Sequence, residues 1–151
     1  LLATHDPETF RAAVQALDIA LGGQIACAAG ADRIKVELQR QKVGLTPYFA
    51  GRIFSGHETP RSKPFPDVYL AAAAALGVDP TRCAVVEDTV TGVTAGVAAG
   101  ATVFGYSPGG PEHATPQALR AAGATQVFTS MADLPALLVA YDVSTTAVAV
   151  P

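Results

Sequence analysis

Three charged side chains near the middle of the chain have the types and spacing to act on a metal ion and an anion. Glu87 and Asp88 directly follow the apolar run CAVV, and Lys63 precedes the helical stretch before that run. In an open α/β sheet, ligands bind where strands reach their carboxyl ends. Two adjacent carboxylates there could reach one Mg²⁺, directly or through water. A lysine one β-α unit earlier could neutralise a phosphate bound beside the metal.

Each of these residues also has a plainer interpretation. Asp88 could be a helix N-cap with Glu87 as its solvated neighbour, and Lys63 could be a surface lysine in a polar loop. The surrounding sequence favours the functional interpretation. Lys63 stands in an S-K-P-x-P-D frame, whose proline restricts the backbone of the residue before it. Glycines recur every four residues in the helix after the acids, which would bring its backbone close to the sheet; they are Gly92, Gly96 and Gly100.

Short apolar runs alternate with amphipathic stretches from about residue 24 onward, which is typical of βαβ units and a parallel sheet. Strands are predicted at QIACA, GRIFS, CAVVE, ATVFGY and TQVFTS. In the helix ADRIKVELQRQKV, the apolar spacing predicts that Ile34 and Leu38 face inward and that Arg40 faces outward. We therefore expect an α/β fold whose sheet is covered by helices on both faces.

The composition limits the classes of function. Half of the residues are hydrophobic, 15% are charged and the net charge is −3. These values indicate one compact domain, and give no reason to expect nucleic acid or an anionic membrane as a partner. Cys27 and Cys83 lie in apolar runs, which favours buried free thiols in a reducing, cytoplasmic compartment. The three histidines form no recognisable metal pair, and we expect all of them to face solvent: His5, His57 and His113.

Residues 61–100, RSKPFPDVYLAAAAALGVDPTRCAVVEDTVTGVTAGVAAG, strongly resemble two motifs of a known family. They are similar to the third and fourth motifs of the haloacid dehalogenase-like (HAD) phosphohydrolases, in the branch that contains β-phosphoglucomutase and phosphoglycolate phosphatase. The resemblance extends over residues 24–140 and implies a three-layer, Rossmann-like parallel sheet. It also implies a small phosphorylated metabolite as substrate, Lys63 as the residue contacting its phosphoryl group, and Mg²⁺ held by Asp88 and Glu87.

The chain departs from the family at the two other motifs. A serine or threonine is expected at the end of QIACA, where this chain has Cys27, Ala28 or Ala29. The backbone amides of Ala29 and Gly30 could still bind a phosphate there. The family's D-x-D motif, with its nucleophilic aspartate on a central strand, is absent. Its nearest imitation, Asp6 with an acid two residues on, follows no apolar strand.

We therefore expect the D-x-D strand and a cap domain to lie upstream of this sequence. Residues 1–23 would be the remnant of a cap-to-core connection, 24–140 the core and 141–151 a loosely held tail. A missing central strand leaves a gap between the strands ending at Ala28 and Glu87. Direct pairing of those strands, insertion of ALDIAL, or self-association through the unpaired edges would close it. We expect the isolated chain to bind Mg²⁺ weakly and to hydrolyse no phosphate ester at a useful rate.

Two other functional classes compete with an enzyme core. A non-catalytic HAD-like domain that binds phosphate or a protein would also lack the serine or threonine. A phospho-receiver domain uses similar residues, but its acid pair comes early and its lysine late, whereas Lys63 here precedes Glu87 and Asp88. A dinucleotide-binding domain is disfavoured, since no G-x-G-x-x-G follows a strand.

Overall fold

The computed structural model describes residues 7–42, 44–49, 51–141 and 147–151. Its strands form one parallel sheet of six, in the order β2-β1-β6-β3-β4-β5. The strands are β1 (Ile25–Ala29), β2 (Ile53–Ser55), β3 (Cys83–Glu87), β4 (Thr102–Tyr106), β5 (Gln126–Phe128) and β6 (Ala147–Val150). The helices are α1 (Pro7–Ala20), α2 (Arg33–Lys42), α3 (Thr46–Phe49), α4 (Asp67–Leu76), α5 (Val90–Ala98), α6 (Pro116–Ala122) and α7 (Leu134–Tyr141). The predicted α/β fold with a Rossmann-like parallel sheet is confirmed.

Successive residues of each strand enter two different apolar cores. Val86 of β3 packs in the core formed with α1, α2, α3 and α7, where Phe10 and Phe49 lie. Val85 packs in the opposite core, which contains Val68 of α4. A parallel sheet covered on both faces requires strands that are apolar throughout. This explains why the strands of the sheet read as short continuous apolar runs in the sequence.

The centre of the sheet is built from the segment predicted to be a loosely held tail. Val148 of β6 is level with Ile25 of β1 on one side and with Ala84 of β3 on the other. All four residues of β6 are buried. The prediction is therefore wrong for Ala147–Val150, while residues 142–146 of that tail lie outside the described part of the chain. The reason is physical: β1 and β3 each present an edge of backbone groups, and an apolar strand between them pairs both rows.

The gap expected between β1 and β3 is thus closed in a way that none of the three alternatives foresaw. Those strands do not pair with each other, and ALDIAL contributes to α1 instead of to the sheet. The unpaired central edges that motivated self-association are absent from the part of the sheet that the structure describes. Self-association itself stays an untested prediction.

Helix α2 is rotated relative to the prediction. Ile34 is 71% exposed and Leu38 is 55% exposed, whereas Val36 and Arg40 are buried. Residues four apart share one face of a helix, so Val36 and Arg40 together define the inward face. The apolar spacing predicted the wrong face because Arg40 is buried in the core, which is unusual for a charged residue.

The cysteines and histidines follow the predictions in most respects. Cys27 and Cys83 are both free and buried. The His57 side chain is 55% exposed and its Nδ1 lies 2.7 Å from the Asp32 carboxylate. His113 is only partly exposed, contrary to expectation, and His5 lies outside the described residues. Among the helices that the structure describes, none has the length and apolar character needed to cross a membrane.

Candidate active site

A pocket of about 370 Å³ opens at the carboxyl ends of the central strands β1, β6 and β3. The structure brings every residue proposed for the site to the wall of this one pocket: Ala29, Gly30, Lys63, Glu87 and Asp88. Residues scattered over sixty positions of sequence meet here because parallel strands end at the same edge of their sheet. Their roles in binding and catalysis stay predictions.

Lys63 lies in the loop between β2 and α4 and is largely buried. Its peptide bond to Pro64 is cis, and its side chain is 11% exposed. The ammonium donates to the Glu87 carboxylate and to the carbonyl oxygen of Ala28, at 3.1 Å. The interpretation of Lys63 as an ordinary surface lysine is therefore wrong. It links the ends of β1 and β3 and holds a positive charge beside the pocket.

Glu87 is the last residue of β3, and its side chain is 1% exposed. Its carboxylate accepts from Lys63 and from the hydroxyl of Tyr69. Burial, reinforced by the Glu87 charge, raises the pKa of Tyr69 well above its usual value, so the phenol stays protonated and can donate. The interpretation of Glu87 as a solvated neighbour is therefore wrong.

Helix α5 makes room for this carboxylate at a glycine. A Cβ atom built at Gly92 would lie 2.0 Å from Oε2 of Glu87, closer than any real contact. Gly96 has a comparable reason, since a Cβ there would meet Val103 Cγ2 at 2.7 Å. Gly100 differs, because it follows the helix and has a φ of +90°. The expectation of close approach to the sheet holds for Gly92 and Gly96, whereas Gly100 serves the turn.

Asp88 is the acidic residue that is open to the pocket. It is partly exposed, and it is not the N-cap of α5. That position belongs to Thr89, whose hydroxyl oxygen accepts from the backbone N–H of Gly92 at 3.0 Å. The helix-capping interpretation of Asp88 is therefore wrong, and its carboxylate remains available to a ligand.

Glu87 and Asp88 fit Mg²⁺ only as one or two carboxylate ligands beside other oxygen ligands. Within the described ranges there is no group of three or more His, Cys, Asp or Glu side chains that could hold a metal. Mg²⁺ is often bound by one or two carboxylates, with water and substrate phosphate completing the octahedron. Asp88 suits that arrangement. Glu87, also predicted as a ligand, accepts from Lys63 and Tyr69 at Oε1 and from the backbone N–H of Asp88 at Oε2, and its metal role stays a prediction.

The end of β1 shows which residue stands where the family resemblance predicts a serine or threonine. Ala29, Cys27 and Ala28 were the three candidates, and of these only Ala29 lines the pocket. Its methyl group cannot donate a hydrogen bond. Gly30 also lines the pocket, and α2 begins at Arg33 shortly after it. The backbone amides of Ala29 and Gly30 therefore stay the predicted phosphate donors at this strand end.

Arg40 is a pocket residue that sequence reasoning missed. It is 1% exposed, and its guanidinium carbon lies 5.5 Å from the ring centre of Phe10 and 5.6 Å from that of Phe49. Nη2 donates to an oxygen of Pro151 and, at 3.3 Å, to Sγ of Cys27. Nε and Nη1 are buried without a hydrogen-bond partner. No signal within α2 marks it, because its spacing of four residues from Val36 has meaning only once Val36 is known to be buried.

The pairing register identifies the residue at the end of the central strand. Val150 is level with Cys27, and Ala149 is level with Val85, so Pro151 is level with both Ala28 and Glu87. The family resemblance predicts a nucleophilic aspartate on a strand in this place. Among the described residues that place is taken by Pro151, which also lines the pocket. Asp6, the nearest imitation of the motif, lies outside the described residues.

Comparisons with known proteins agree on one family. A family model described as haloacid dehalogenase-like hydrolase matches residues 2–100. A HAD-family hydrolase from Deinococcus radiodurans R1, solved with bound phosphate and sodium, is 40% identical with a TM-score of 0.76, over 89% of this chain and 57% of that one.

Curated relatives match over shorter segments. The 6-phosphogluconate phosphatase of Escherichia coli K12 is 36% identical over 70 residues, which is 46% of this chain and 32% of that protein. Hexitol phosphatase B of the same strain is 53% identical over 45 residues, which is 30% of this chain and 20% of that protein. The chain thus spans well under two thirds of the length of the relatives it matches.

Proposed function

This chain belongs to the haloacid dehalogenase-like hydrolases, and on that basis we propose that its pocket is the phosphate- and metal-binding part of a Mg²⁺-dependent phosphohydrolase site. The ligand would be a small phosphorylated metabolite, such as a sugar phosphate or a compound like phosphoglycolate. The observation that carries the proposal is the convergence of Lys63, Asp88 and Gly30 on one pocket. The phosphate bound to the Deinococcus relative supports the same class of ligand.

Lys63 is the residue that we assign to the phosphate. An ammonium has three N–H donors, and in this structure Glu87 and the Ala28 carbonyl accept two of them. One donor is therefore left for a phosphate oxygen. Glu87 positions the ammonium, because its buried carboxylate holds the lysine at the strand end whether or not a ligand is bound. The amides of Ala29 and Gly30 would donate from the end of β1.

Asp88 is the residue that we assign to the metal. Mg²⁺ bound there would draw charge from the phosphoryl oxygens and make phosphorus easier to attack. Asp88 itself supplies an oxygen ligand on a fixed strand-helix junction. The cost of immobilising that ligand is therefore met during folding.

Among the described residues, no aspartate stands at the end of the central strand β6, where the family's nucleophile is expected. Pro151 takes the place expected for the aspartate, and without a covalent intermediate a phosphate ester faces the full barrier of direct attack by water. We therefore propose that the chain as given binds phosphate esters but does not hydrolyse them at a useful rate. The second candidate, a non-catalytic HAD-like domain for phosphate or protein binding, is favoured by Pro151 and by the methyl group of Ala29.

The cellular compartment and the classes of partner are proposed from the cysteines and the net charge. Cys27 and Cys83 are buried free thiols, so we propose a reducing compartment such as the cytoplasm. The net charge of −3 supports a protein that engages neither nucleic acid nor an anionic membrane.

Calorimetric titration with inorganic phosphate, with and without Mg²⁺, tests the proposal. We expect Mg²⁺ to strengthen phosphate binding in the parent chain and to lose this effect in Asp88→Asn. Lys63→Met should weaken binding under both conditions. Asp133→Asn, which removes an exposed carboxylate outside the pocket, is the matched control and should change neither.

Two results would contradict the proposal. Absence of phosphate binding at millimolar concentrations would remove the binding function. Magnesium-dependent hydrolysis of p-nitrophenyl phosphate that Asp88→Asn abolishes would show that the chain contains its own nucleophile.

A further inference from the structure

We propose that the outer surface of α4 and α5 is a dimer interface, on which a second copy of this chain docks weakly and reversibly. We call this surface the α4–α5 face. Its exposed members are all uncharged, and they are Leu70, Ala74 and Ala75 of α4 with Val90, Thr91, Thr94, Val97 and Ala98 of α5. The inference goes beyond the proposed function, because it requires neither a ligand nor a metal.

The first reason is that this face lacks formal charge. The structure describes every residue of α4 and α5, and Asp67 is the one charged side chain among them. It lies in the first turn of α4, where its carboxylate is 2.9 Å from the guanidinium of Arg61. A surface helix ordinarily carries charged or polar side chains opposite the core. Helix α2, on the other side of the sheet, follows this rule with exposed Lys35, Glu37 and Lys42.

The second reason is that the apolar positions form one continuous surface. Helices α4 and α5 contact each other, and both pack on the same side of the sheet through Val68 and Val93. Three of the larger side chains on the α4–α5 face are substantially exposed, namely Leu70 at 42%, Val90 at 44% and Val97 at 43%. Single exposed apolar side chains are normal, whereas a contiguous apolar surface indicates an interaction site.

Thr94, in the middle of α5, adds no free donor to this surface. Its hydroxyl donates to the carbonyl oxygen of Val90 at 2.8 Å, within the same helix. A buried polar group is costly only when it lacks a hydrogen bond. A partner can therefore cover Thr94 without supplying an acceptor for it.

The charge of the chain identifies a second copy as the partner. With a net charge of −3, two copies repel each other, and like charges brought together oppose association. The α4–α5 face lets them approach without placing formal charges in contact. A two-fold dimer buries the same patch on both copies, so a patch without charge is complementary to itself.

Helix α7 is a weaker candidate for the same role. It also has no Asp, Glu, Lys or Arg. It packs against α1, however, and α1 carries Glu8, Arg11 and Asp18 at positions that are not buried. A second copy placed there would bring these like charges together, whereas α4 and α5 are two uncharged helices side by side.

The size of the face determines how strong the dimer is. At about 1.5 Å per residue, each helix is about 15 Å long. Helices packed side by side have axes about 8–10 Å apart, so the face covers about 300 Å². This is well below the ~800 Å² per partner of a standard stable interface. We therefore expect a dissociation constant on the order of 100 µM.

A competing route to self-association uses the edge strands of the sheet. In the part of the chain that the structure describes, β2 and β5 are the outermost strands, and each has three residues. Very short edge strands are poor templates for pairing. A substitution on the outer surface of α5 separates the two routes, because it leaves both edges intact.

The experiment is sedimentation equilibrium of the purified chain, from about 5 µM to about 1 mM. The salt concentration is kept near 10 mM, where the Debye length of about 30 Å exceeds the width of the face. We expect the average mass to rise from that of one chain toward that of two. Thr94→Glu and Thr94→Lys each place like charges across the interface, and each should weaken the dimer about tenfold or more. An equimolar mixture of the two variants should restore it, because opposite charges then face each other.

Leu38→Glu is the matched control. Leu38 is 55% exposed on α2, and the variant has the same net charge as Thr94→Glu. It should dimerise like the parent chain. Far-UV circular dichroism checks that each variant is folded, and Leu70→Glu replaces a Thr94 variant that is not.

Four results would overturn the inference. A parent chain that stays monomeric over the whole range would leave the face to a different occupant. Variants at Thr94 that associate as strongly as the parent would place self-association on another surface. Equal weakening in Leu38→Glu would make net charge the cause, and a mixture that fails to dimerise would show that repulsion across the face was not.

Discussion

Two buried cations meet at the end of β1, and they differ in what balances them. Lys63 lies on the α4 side of the sheet, where its ammonium donates a hydrogen bond to the Glu87 carboxylate and the Tyr69 hydroxyl donates a second one to the same carboxylate. Arg40 lies on the α2 side, where it contacts two aromatic rings, Sγ of Cys27 and an oxygen of Pro151, and where no Asp or Glu side chain of the described residues pairs with it. The comparison teaches that burial alone does not tell which groups balance a cation. The role of each cation depends on the groups that pair with it, and substitutions can remove these groups one at a time.

Removing the lysine should have the largest effect. In Lys63→Met, the carboxylate of Glu87 stays buried without its cation, and breaking a buried pair in this way typically costs about 3–5 kcal/mol. The free energy of unfolding, measured in urea, should fall by an amount in that range. In the double variant Lys63→Met with Glu87→Gln, most of the loss should be recovered. A single variant within about 1 kcal/mol of the parent chain would show that the Lys63–Glu87 pair contributes little to stability.

A substitution in α5 that crowds the Glu87 carboxylate also tests the Lys63–Glu87 pair. Gly92→Ala places a methyl group where Oε2 of Glu87 now lies, and overpacking of this kind costs about 1–3 kcal/mol. An alanine in place of a helical glycine ordinarily stabilises by about 0.5–1 kcal/mol. The sign of the change in unfolding free energy is therefore the readout, and a stabilised variant would disprove the close approach of α5 to Glu87.

Removing the arginine should have a much smaller effect on stability. Arg40→Met removes a buried guanidinium whose Nε and Nη1 have no hydrogen-bond partner, which is favourable, but it leaves an oxygen of Pro151 without this donor. The second effect is worth about 1–3 kcal/mol, and the first offsets part of it. We expect a net loss of about 1 kcal/mol or less in urea unfolding. A loss equal to that of Lys63→Met would show that both cations are equally well paired.

The ionisation of Tyr69 should give the smallest effect, and it reports only on the surroundings of the Lys63–Glu87 pair. Burial and the neighbouring Glu87 raise the pKa of this phenol above its ordinary value of 10.0. The contribution of the protonated phenol to the free energy of unfolding is complete below pH 10.0. It is lost as the pH rises through the raised pKa of Tyr69 in the folded protein. In an absorbance titration of tyrosinate, the difference between the parent chain and Tyr69→Phe should therefore be absent near pH 10 and appear only at higher pH. A Tyr69 signal with an ordinary midpoint would indicate an open, hydrated Glu87.

Much of the site could be predicted because its signals are local. The run CAVV followed by Glu87 and Asp88 specifies a buried strand that ends in acids, and the proline after Lys63 marks the loop that carries it. In a right-handed succession of βαβ units, these features must meet at one edge of the sheet. Sequence also indicated that Gly92 allows close approach, although not that a carboxylate would occupy the space.

The two features that were not predicted depend on partners distant in sequence. Ala147–Val150 is apolar on both faces, so it shows neither alternation nor amphipathic period, and only the vacancy between β1 and β3 makes it a strand. Arg40 reads as a solvent-facing residue in any helical projection of charges. Its burial requires the rings of α1 and α3 and the end of β6, none of which can be inferred from α2 itself.

The central position of β6 has a consequence for how the protein reaches its fold. Val148 pairs with Ile25, which precedes it by more than one hundred residues, so this contact closes a very long loop. Until residues 147–150 leave the ribosome, β1 and β3 each carry an open edge, and a nascent chain in this state is exposed to aggregation. High contact order of this kind slows folding, because the loop entropy is lost before the pairing energy is gained. We expect the docking of β6 to be the late, rate-limiting event, with the two halves of the sheet collapsing separately before it joins them.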